Sequence, residues 1–271
     1  MEQPAHMTTT VDVIRETARI VEAQLGDWPS DWVGFNWPGY TYQHTWRVRH
    51  LALALAHELG ADEWVVELAA LLHDIGKPAG EPHAEPGVER ARPILDGLGI
   101  DAMTRDRVLH IIGGHLACNP ADPPENLALY DADFIDANFG AIAFLRYMSI
   151  RAHREATPEA MATEAREWLF VRLMERRQRV ITAPGARLAD ARLARMRDIY
   201  AQLTADLAAG DGPALAVARY IMADAARPSL TRQISAMQRV LDGAPGPDGL
   251  VPSPFLQNLV ASLRQESEGR A

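Results

Sequence analysis

The residues best suited to chemistry are a histidine and an aspartate that stand next to each other, His73 and Asp74. They close a short apolar run, Leu68–Leu72, and Gly76 and Pro78 follow them. The run favours a buried helix over a strand, and glycine and proline are typical just beyond a helix C-terminus. Burying an imidazole and a carboxylate without partners is costly, whereas one divalent metal ion satisfies both.

A second candidate ligand, His44, lies in a predicted helix from Thr41 to Leu59. Val48, Leu51 and Leu55 repeat with it at helical spacing, so His44 is expected on the buried face. A histidine in that position is often an ordinary core residue. Here two buried helices that carry histidines can converge on one ion. His50 and His57 fall on other faces and are interpreted as surface residues.

Further candidates follow along the chain. His83 lies in a predicted loop, Pro78–Pro86, that precedes a helix predicted from Val88 to Leu98. His110 and His115 stand about 140° apart around a helix, so at most one is expected to be a ligand unless Gly113 and Gly114 break that helix.

Three acids lie in an apolar helix predicted from Leu127 to Tyr147: Asp131, Asp133 and Asp136. Asp133 and Asp136 share a face. At least one acid is expected to have a specific partner, and the others to face solvent.

The elements around these residues predict an all-α protein. Besides those named above, helices are predicted over residues 11–25, 157–183, 186–209, 213–226, 229–242 and 255–263. Residues 1–10 are predicted to be disordered, and the tryptophans and tyrosines of residues 28–42 to form an ordered loop that packs on the core or walls a substrate pocket. Residues 243–254, rich in glycine and proline, are predicted to be a linker.

Composition and net charge exclude some classes of function. The chain has 271 residues, 48% hydrophobic content and a net charge of -9, which argues against binding to nucleic acid polymers. A local basic pocket for a small phosphorylated ligand remains compatible with this charge. The single cysteine, Cys118, excludes an intramolecular disulfide and a cysteine-based zinc site. Without a membrane-spanning run or a signal sequence, the chain is expected to be cytoplasmic.

Taken together, four motifs resemble the HD-domain superfamily of metal-dependent phosphohydrolases. They are Tyr42-Gln-His44-Thr-Trp-Arg47-Val48, Ala69-Ala-Leu-Leu-His-Asp-Ile-Gly-Lys77, Ile111-Ile-Gly-Gly-His115 and Asp131-Ala-Asp133-Phe-Ile-Asp136. The resemblance covers residues 40–150 and implies a helical bundle. Residues 183–192 and Met196 look like the tail helices of one small bacterial branch thought to hydrolyse nucleotides.

The resemblance implies four core metal ligands, His44, His73, Asp74 and Asp133. His83 and His115 match positions that bind a second ion in dinuclear members, with Asp74 as the bridge. The expected cofactor is therefore one or two divalent ions per chain, drawn from Mn, Fe, Ni, Zn and Mg. Single-metal members often lack these two histidines, so two ions are favoured here.

Beside the ligands, Lys77 and Arg47 are expected to neutralise a phosphate and its transition state, with Arg146 as a further substrate-binding candidate. Asp74, Lys77 and Arg47 form the predicted catalytic set. The function favoured by these residues is hydrolysis of a phosphate ester or nucleotide by metal-activated water.

Other functions fit the same ligand set. Some HD-domain proteins hold a di-iron centre that oxidises a small phosphonate or polyol with dioxygen. A third class is a regulatory module with a vestigial site. Three regions are predicted: 1–37, an N-terminal helix and aromatic loop; 38–150, the metal-binding core; and 151–271, a helical extension packed on it. The long amphipathic helices of the extension also suit a homodimer interface.

Overall fold

The computed structural model describes residues 9–30, 37–223 and 229–270, and helices dominate these ranges. The prediction of an all-α helical bundle with additional C-terminal helices is confirmed. The described part also contains one pair of antiparallel two-residue strands, β1 (Pro29–Ser30) and β2 (Trp37–Pro38), which was not predicted. The helices are α1 (Thr10–Leu25), α2 (Tyr40–Leu59), α3 (Glu63–Leu72), α4 (Ala84–Gly97), α5 (Ala102–Gly114), α6 (Pro124–Asn138), α7 (Ala141–His153), α8 (Pro158–Glu164), α9 (Phe170–Arg177), α10 (Ala183–Ala209), α11 (Pro213–Ala223), α12 (Leu230–Leu241) and α13 (Pro254–Ser267).

Several helices begin where a capping side chain stands in the sequence. The Thr9 and Asp12 side chains close a capping box at the start of α1. Asp101, the residue immediately before α5, accepts a hydrogen bond from Thr104 N at 3.0 Å. None of the helices in the described ranges is long and apolar enough to span a lipid bilayer.

The helix predicted from Leu127 to Tyr147 is two helices, α6 and α7. The helix is interrupted at Phe139 and Gly140. Gly140 has φ +108°, a backbone conformation that favours glycine. The apolar pattern runs through this break, which is why periodicity alone does not reveal it. The first amides of α7, Ala141 N and Ile142 N, donate to the buried carboxylate of Glu266 from α13.

Helix α4 begins at Ala84, four residues before the predicted start at Val88. Gly87, which in the sequence resembles a stop before the helix, lies inside the first turn and is buried. Proline and glycine are tolerated there because the first amides of a helix need no partner within it. The predicted loop is therefore shorter, and His83 sits at the N-terminus of α4.

The two long helices predicted over 157–183 and 186–209 also differ from the structure. The first consists of α8, a π-helical turn Ala165–Leu169 and α9, and it ends at Arg177. The second, α10, begins at Ala183, with Pro184 in its first turn and Thr182 as its cap. Proline is favoured at that position, so it marks a helix start here and not a break.

The last helices follow the predicted order with shifted ends. Helix α13 has 14 residues and extends to Ser267, beyond the predicted end at Leu263. A 3-10 turn, Pro247–Gly249, lies in the predicted linker. The predictions for residues 1–8, 31–36 and 224–228 lie outside the described residues. They include most of the disorder predicted at the start and the middle of the aromatic loop.

Buried apolar side chains form two cores that meet at α6. The first core is built from α1 to α6 and extends along the chain from Val13 to Ala132. The second contains Tyr40, the last turn of α6 and buried residues of α7 to α13. Helix α6 packs along α2, so the helices that carry Asp133 and His44 face each other at this junction. The division into three regions at residues 37 and 150 stays a prediction.

Candidate metal centre

Five neighbouring helices deliver the predicted ligands to one place. Seven of the ten residues of α3 are buried, so the helix ends inside the protein and His73 and Asp74 follow in its terminal turn. His44 projects from the buried face of α2, and His115 follows the last residue of α5. Each of these side chains is almost completely buried.

The donor atoms form two triads, His44–His73–Asp133 and Asp74–His83–His115. Within each triad one ligand atom per residue lies within 4.8 Å of the others. His44 Nε2 is 2.9 Å from Asp133 Oδ1, and His83 Nε2 is 3.0 Å from His115 Nε2. The structure thus brings all the predicted ligands together. Its geometry agrees with the expectation that only one of the α5 histidines is a candidate, because His110 is exposed.

Asp74 connects the triads because its two oxygens face different groups. Its Oδ1 lies 3.1 Å from His83 Nε2. Its Oδ2 lies 3.4 Å from His73 Nε2 and 3.7 Å from His44 Nε2. A carboxylate placed in this way is suited to bridge two cations, one beside each triad.

The chemistry of the donors fits a metal ion. The Nδ1–H groups of His73 and His115 donate to backbone carbonyls, Ala70 O at 2.8 Å and Ile112 O at 2.6 Å, which leaves each Nε2 lone pair directed at the cluster. His73 Nε2 has no hydrogen-bond partner although the residue is fully buried. Such an orphaned atom is what a divalent ion satisfies.

The charge states of His115, Asp74 and Asp133 also fit a metal ion. Burial lowers the pKa of His115 to about 4, with a further contribution from His73, so this imidazole is neutral at physiological pH. Burial alone would raise the pKa of Asp74, but the neighbouring His73 and Lys77 hold it well below its usual range. The pKa of Asp133 is also lowered, against the effect of burial, by the contact of its carboxylate with His44. Neutral imidazoles and ionised carboxylates are the forms that bind metals.

Lys77 lies at the edge of the centre. Its Nζ donates to Asp74 Oδ2 at 2.5 Å, and its side chain remains 25% exposed. Burial would lower the pKa of Lys77, but the charges of Asp74 and Asp133 raise it, so the ammonium group persists. Arg146, the other predicted substrate-binding residue, is half-buried, and its positive charge acts on Lys77. Substrate binding by Lys77 and Arg146 stays a prediction.

The expected contact of Arg47 with substrate is wrong. Arg47 is only 1% exposed, and its Nε and Nη2 donate to Asp136 at 3.0 and 2.9 Å. The guanidinium group is fully engaged in this buried ion pair, so a phosphate cannot reach it. The spacing of three residues from His44 correctly placed Arg47 near the centre but could not reveal its partner.

Asp136 is the functional residue that sequence reasoning left unassigned. Its carboxylate accepts a hydrogen bond from His44 Nδ1 at 2.7 Å, and Arg192 Nη1 of α10 lies 3.6 Å away. It therefore fixes the orientation of His44, while Arg47 and Arg192 hold its own negative charge. Its position three residues after Asp133, on the same helix face, was the available signal.

None of the three aspartates of α6 is exposed, contrary to the expectation that two of them face solvent. Asp131 is completely buried and accepts hydrogen bonds from Ile181 N at 2.9 Å and Thr182 N at 2.8 Å. It anchors the segment that leads into α10. Asp131 is thus structural, whereas Asp133 and Asp136 belong to the centre.

Replacing Gly76 by alanine is expected to disturb the second triad selectively. A Cβ atom there would overlap the carbonyl oxygen of His83 and lie 2.5 Å from Gly87 N, and these backbone atoms cannot rotate away. Overpacking of this kind costs about 1–3 kcal/mol. We expect lower stability in urea unfolding and loss of one metal ion by elemental analysis. Gly97→Ala is the control, because nothing lies within 4 Å of its added Cβ; equal metal content in both variants would contradict the prediction.

The part of the chain that carries the candidate ligands matches a known protein family. Residues 41–138 match the family model of the HD domain. The chain therefore contains a region similar to the HD domain, and the resemblance that the motifs predicted is confirmed.

Two relatives are similar to parts of the chain. Ribonuclease Y of Thermoanaerobacter pseudethanolicus is 37% identical over 101 residues, which cover 35% of this chain and 18% of that protein. The uncharacterized protein YpgQ of Bacillus subtilis is 33% identical over 115 residues, which cover 40% of this chain and 55% of YpgQ. The matches thus span about half or less of these relatives.

Solved structures resemble a larger part of the chain than these sequence relatives do. An HD-superfamily hydrolase from Bacillus thuringiensis has a TM-score of 0.57 at 22% identity, over 74% of this chain and 100% of that one. Bacillus subtilis YpgQ in complex with ADP has a TM-score of 0.54 at 22% identity, over 73% of this chain and 96% of that one. At these identities the likeness shows the fold.

Proposed function

We propose that this protein is a metal-dependent phosphohydrolase that cleaves a phosphate ester or nucleotide. The observation that carries the proposal is the pair of buried triads that share Asp74, with the cationic Lys77 at their edge. A divalent ion held there supplies a Lewis acid for a phosphoryl oxygen and a hydroxide nucleophile near neutral pH.

Side chains of the protein would bind the substrate and position the ligands. Lys77, with Arg146 beside it, would bind and orient the phosphate and neutralise the charge that develops during cleavage. Asp136 would hold His44 in the orientation that directs Nε2 into the first triad. Asp74 would position both triads through its two oxygens. Arg47 acts through Asp136 and not on the substrate.

The limited exposure of the site favours a small substrate. Among the six candidate ligands, Asp133 shows the most side-chain surface, 21%, and Lys77 beside it shows 25%. Access is therefore through the side occupied by these two residues. The net charge of -9 further disfavours a nucleic acid polymer. The complex of Bacillus subtilis YpgQ with ADP supports a nucleotide as one candidate substrate. A cytoplasmic setting and a homodimer belong to the same proposal.

The first test is the metal content of protein purified without added metal. We expect one or two ions of manganese, nickel, zinc, magnesium or iron per chain. We also expect metal-dependent release of phosphate from para-nitrophenyl phosphate or from a nucleotide panel, which a chelator abolishes. Two irons per chain with the spectrum of a coupled pair, together with oxygen consumption on a phosphonate or polyol and no phosphate release, would overturn the hydrolase in favour of the oxygenase.

A further inference from the structure

Arg192 of α10 is a fully buried arginine whose donor groups are only partly satisfied. Its Nη2 donates to the carbonyl oxygen of Arg270 at 3.3 Å, and its Nη1 lies 3.6 Å from Asp136 Oδ1. Neither Nε nor Nη1 has a hydrogen-bond partner among the described residues. Burying a guanidinium group with spare donors is costly, so packing of the core alone does not account for this residue.

Arg192 is two contacts away from a candidate metal ligand. The Asp136 carboxylate that faces Arg192 accepts a hydrogen bond from His44 Nδ1 at 2.7 Å through its other oxygen. His44 Nε2 in turn lies 2.9 Å from Asp133 Oδ1 in the first triad. Arg47 holds the Asp136 carboxylate from α2, the helix that also carries His44. Arg192 therefore holds the same carboxylate from a third helix, α10.

The turn that follows α13 positions the other partner of Arg192. Arg270 N donates to Gln265 O at 3.0 Å and Gly269 N donates to Glu266 O at 2.9 Å, with Gly269 at φ +69°. These two bonds and the left-handed glycine form a Schellman motif. The motif fixes the direction of the peptide groups that follow α13, and it places the Arg270 carbonyl beside Arg192.

The same turn packs against α2. A Cβ atom at Gly269 would overlap His50 Cβ and lie 2.9 Å from His50 Cγ, so the turn touches α2 six residues after His44. Glu266, in the last turn of α13, accepts hydrogen bonds from the first two amides of α7. The end of α13 is therefore held on α2 and α7 as well as on α10.

We propose that Arg192 is a positioning residue for the candidate metal centre, through which the turn after α13 sets the orientation of Asp136 and hence of His44. A carboxylate held from two directions cannot rotate about its Cβ–Cγ bond, so the acceptor for His44 Nδ1 stays in place. Groups that hold a ligating histidine in this way fix the direction of its other nitrogen. The inference rests on the proposed function, because it needs a metal ion at the first triad.

The proposal gives the C-terminal helices a part in metal binding. Both α10 and α13 lie outside residues 41–138, the part of the chain that matches the HD-domain family model. None of the six candidate ligands lies in these two helices. Their contribution to metal affinity is indirect, through the contact of Arg192 with Asp136.

The test compares zinc affinity, measured on the zinc-loaded protein by competition with a chelator, with stability in urea. Arg192→Met removes the charge and keeps a similar volume, a change that buried ion pairs often tolerate. We expect zinc to bind about tenfold more weakly, the lower end of the range for groups that hold a metal ligand from outside. Arg192→Lys is expected to recover most of this loss, because it keeps a cation beside Asp136. Arg187→Met is the control, since Arg187 lies on the same helix and pairs with Glu58 of α2 at an exposed position.

A second pair of variants tests the role of the turn. Gly269→Ala is expected to weaken zinc binding by a similar factor, because the added Cβ overlaps His50 and displaces the Arg270 carbonyl. Gly210→Ala is its control, since Gly210 also ends a helix at positive φ, +82°, but nothing lies within 4 Å of its added Cβ. In the Arg192→Met background, Gly269→Ala is expected to cause no further loss, because both changes act through one contact.

Two outcomes would overturn the positioning role. One is a zinc affinity of Arg192→Met that equals that of the wild type or of Arg187→Met, whatever its stability in urea. The other is full additivity of Arg192→Met and Gly269→Ala, which would show that the turn acts on α2 through His50 and not through Arg192. Because zinc binding is measured without turnover, the result separates the two proposals. Zinc affinity that depends on Arg192 in a protein that releases no phosphate would retain the positioning role and reject the hydrolase.

Discussion

Replacing Asp74 by alanine is expected to abolish metal binding and turnover while leaving the helix content of the protein nearly unchanged. Both oxygens of Asp74 face donor atoms of the triads, so the variant loses the group that connects them. The side chain is not part of a helix cap, and the apolar residues of α3 that position it remain. His73→Ala is expected to have the same effect, because its unpartnered Nε2 points into the first triad.

The measurements are metal content by elemental analysis, phosphate release from the best substrate and far-UV circular dichroism. His110→Ala is a matched control, since this histidine is exposed on α5, five residues before His115. It is expected to behave like the wild type in all three. Retained turnover in Asp74→Ala or His73→Ala with full metal content would reject the assignment of the site.

The ligands were predictable because their types and local settings carry the information. His44 sits in a helical apolar pattern, and His73 and Asp74 end an apolar run, so burial followed from sequence. The motif resemblance then linked these residues with His83, His115 and Asp133, which are distant in the chain. The structure brings all six together, although their role as ligands is still a proposal.

The partners of charged residues were not predictable, because they depend on contacts between distant elements. Arg47 looks like a phosphate contact until α6 supplies Asp136, 89 residues later. Similarly, Gly140 signals a break, but the stabilisation of α7 comes from Glu266, 125 residues away from Ala141. Periodicity describes one element at a time, and it contains no information on a carboxylate delivered from another helix.

Replacing Asp136 by asparagine is expected to lower both the stability of the fold and the affinity for metal. The change leaves Arg47 and Arg192, both almost fully buried, without the carboxylate that balances their charge. Removing one partner of a buried ion pair costs about 3–5 kcal/mol. His44 Nδ1 also loses an anionic acceptor at 2.7 Å, and losing such an outer contact typically weakens metal binding by about 10–100-fold. Urea unfolding and a manganese or zinc titration measure the two effects.

Asp131→Asn separates positioning of the ligand from general destabilisation. Asp131 lies on the same helix and is also completely buried, but it accepts its hydrogen bonds from Ile181 N and Thr182 N, away from the candidate ligands. This variant is expected to lose stability while it keeps its metal affinity in the folded state. Equal metal affinities in the two variants would show that Asp136 supports the fold alone. A loss confined to Asp136→Asn would show that its carboxylate orients His44 for metal binding.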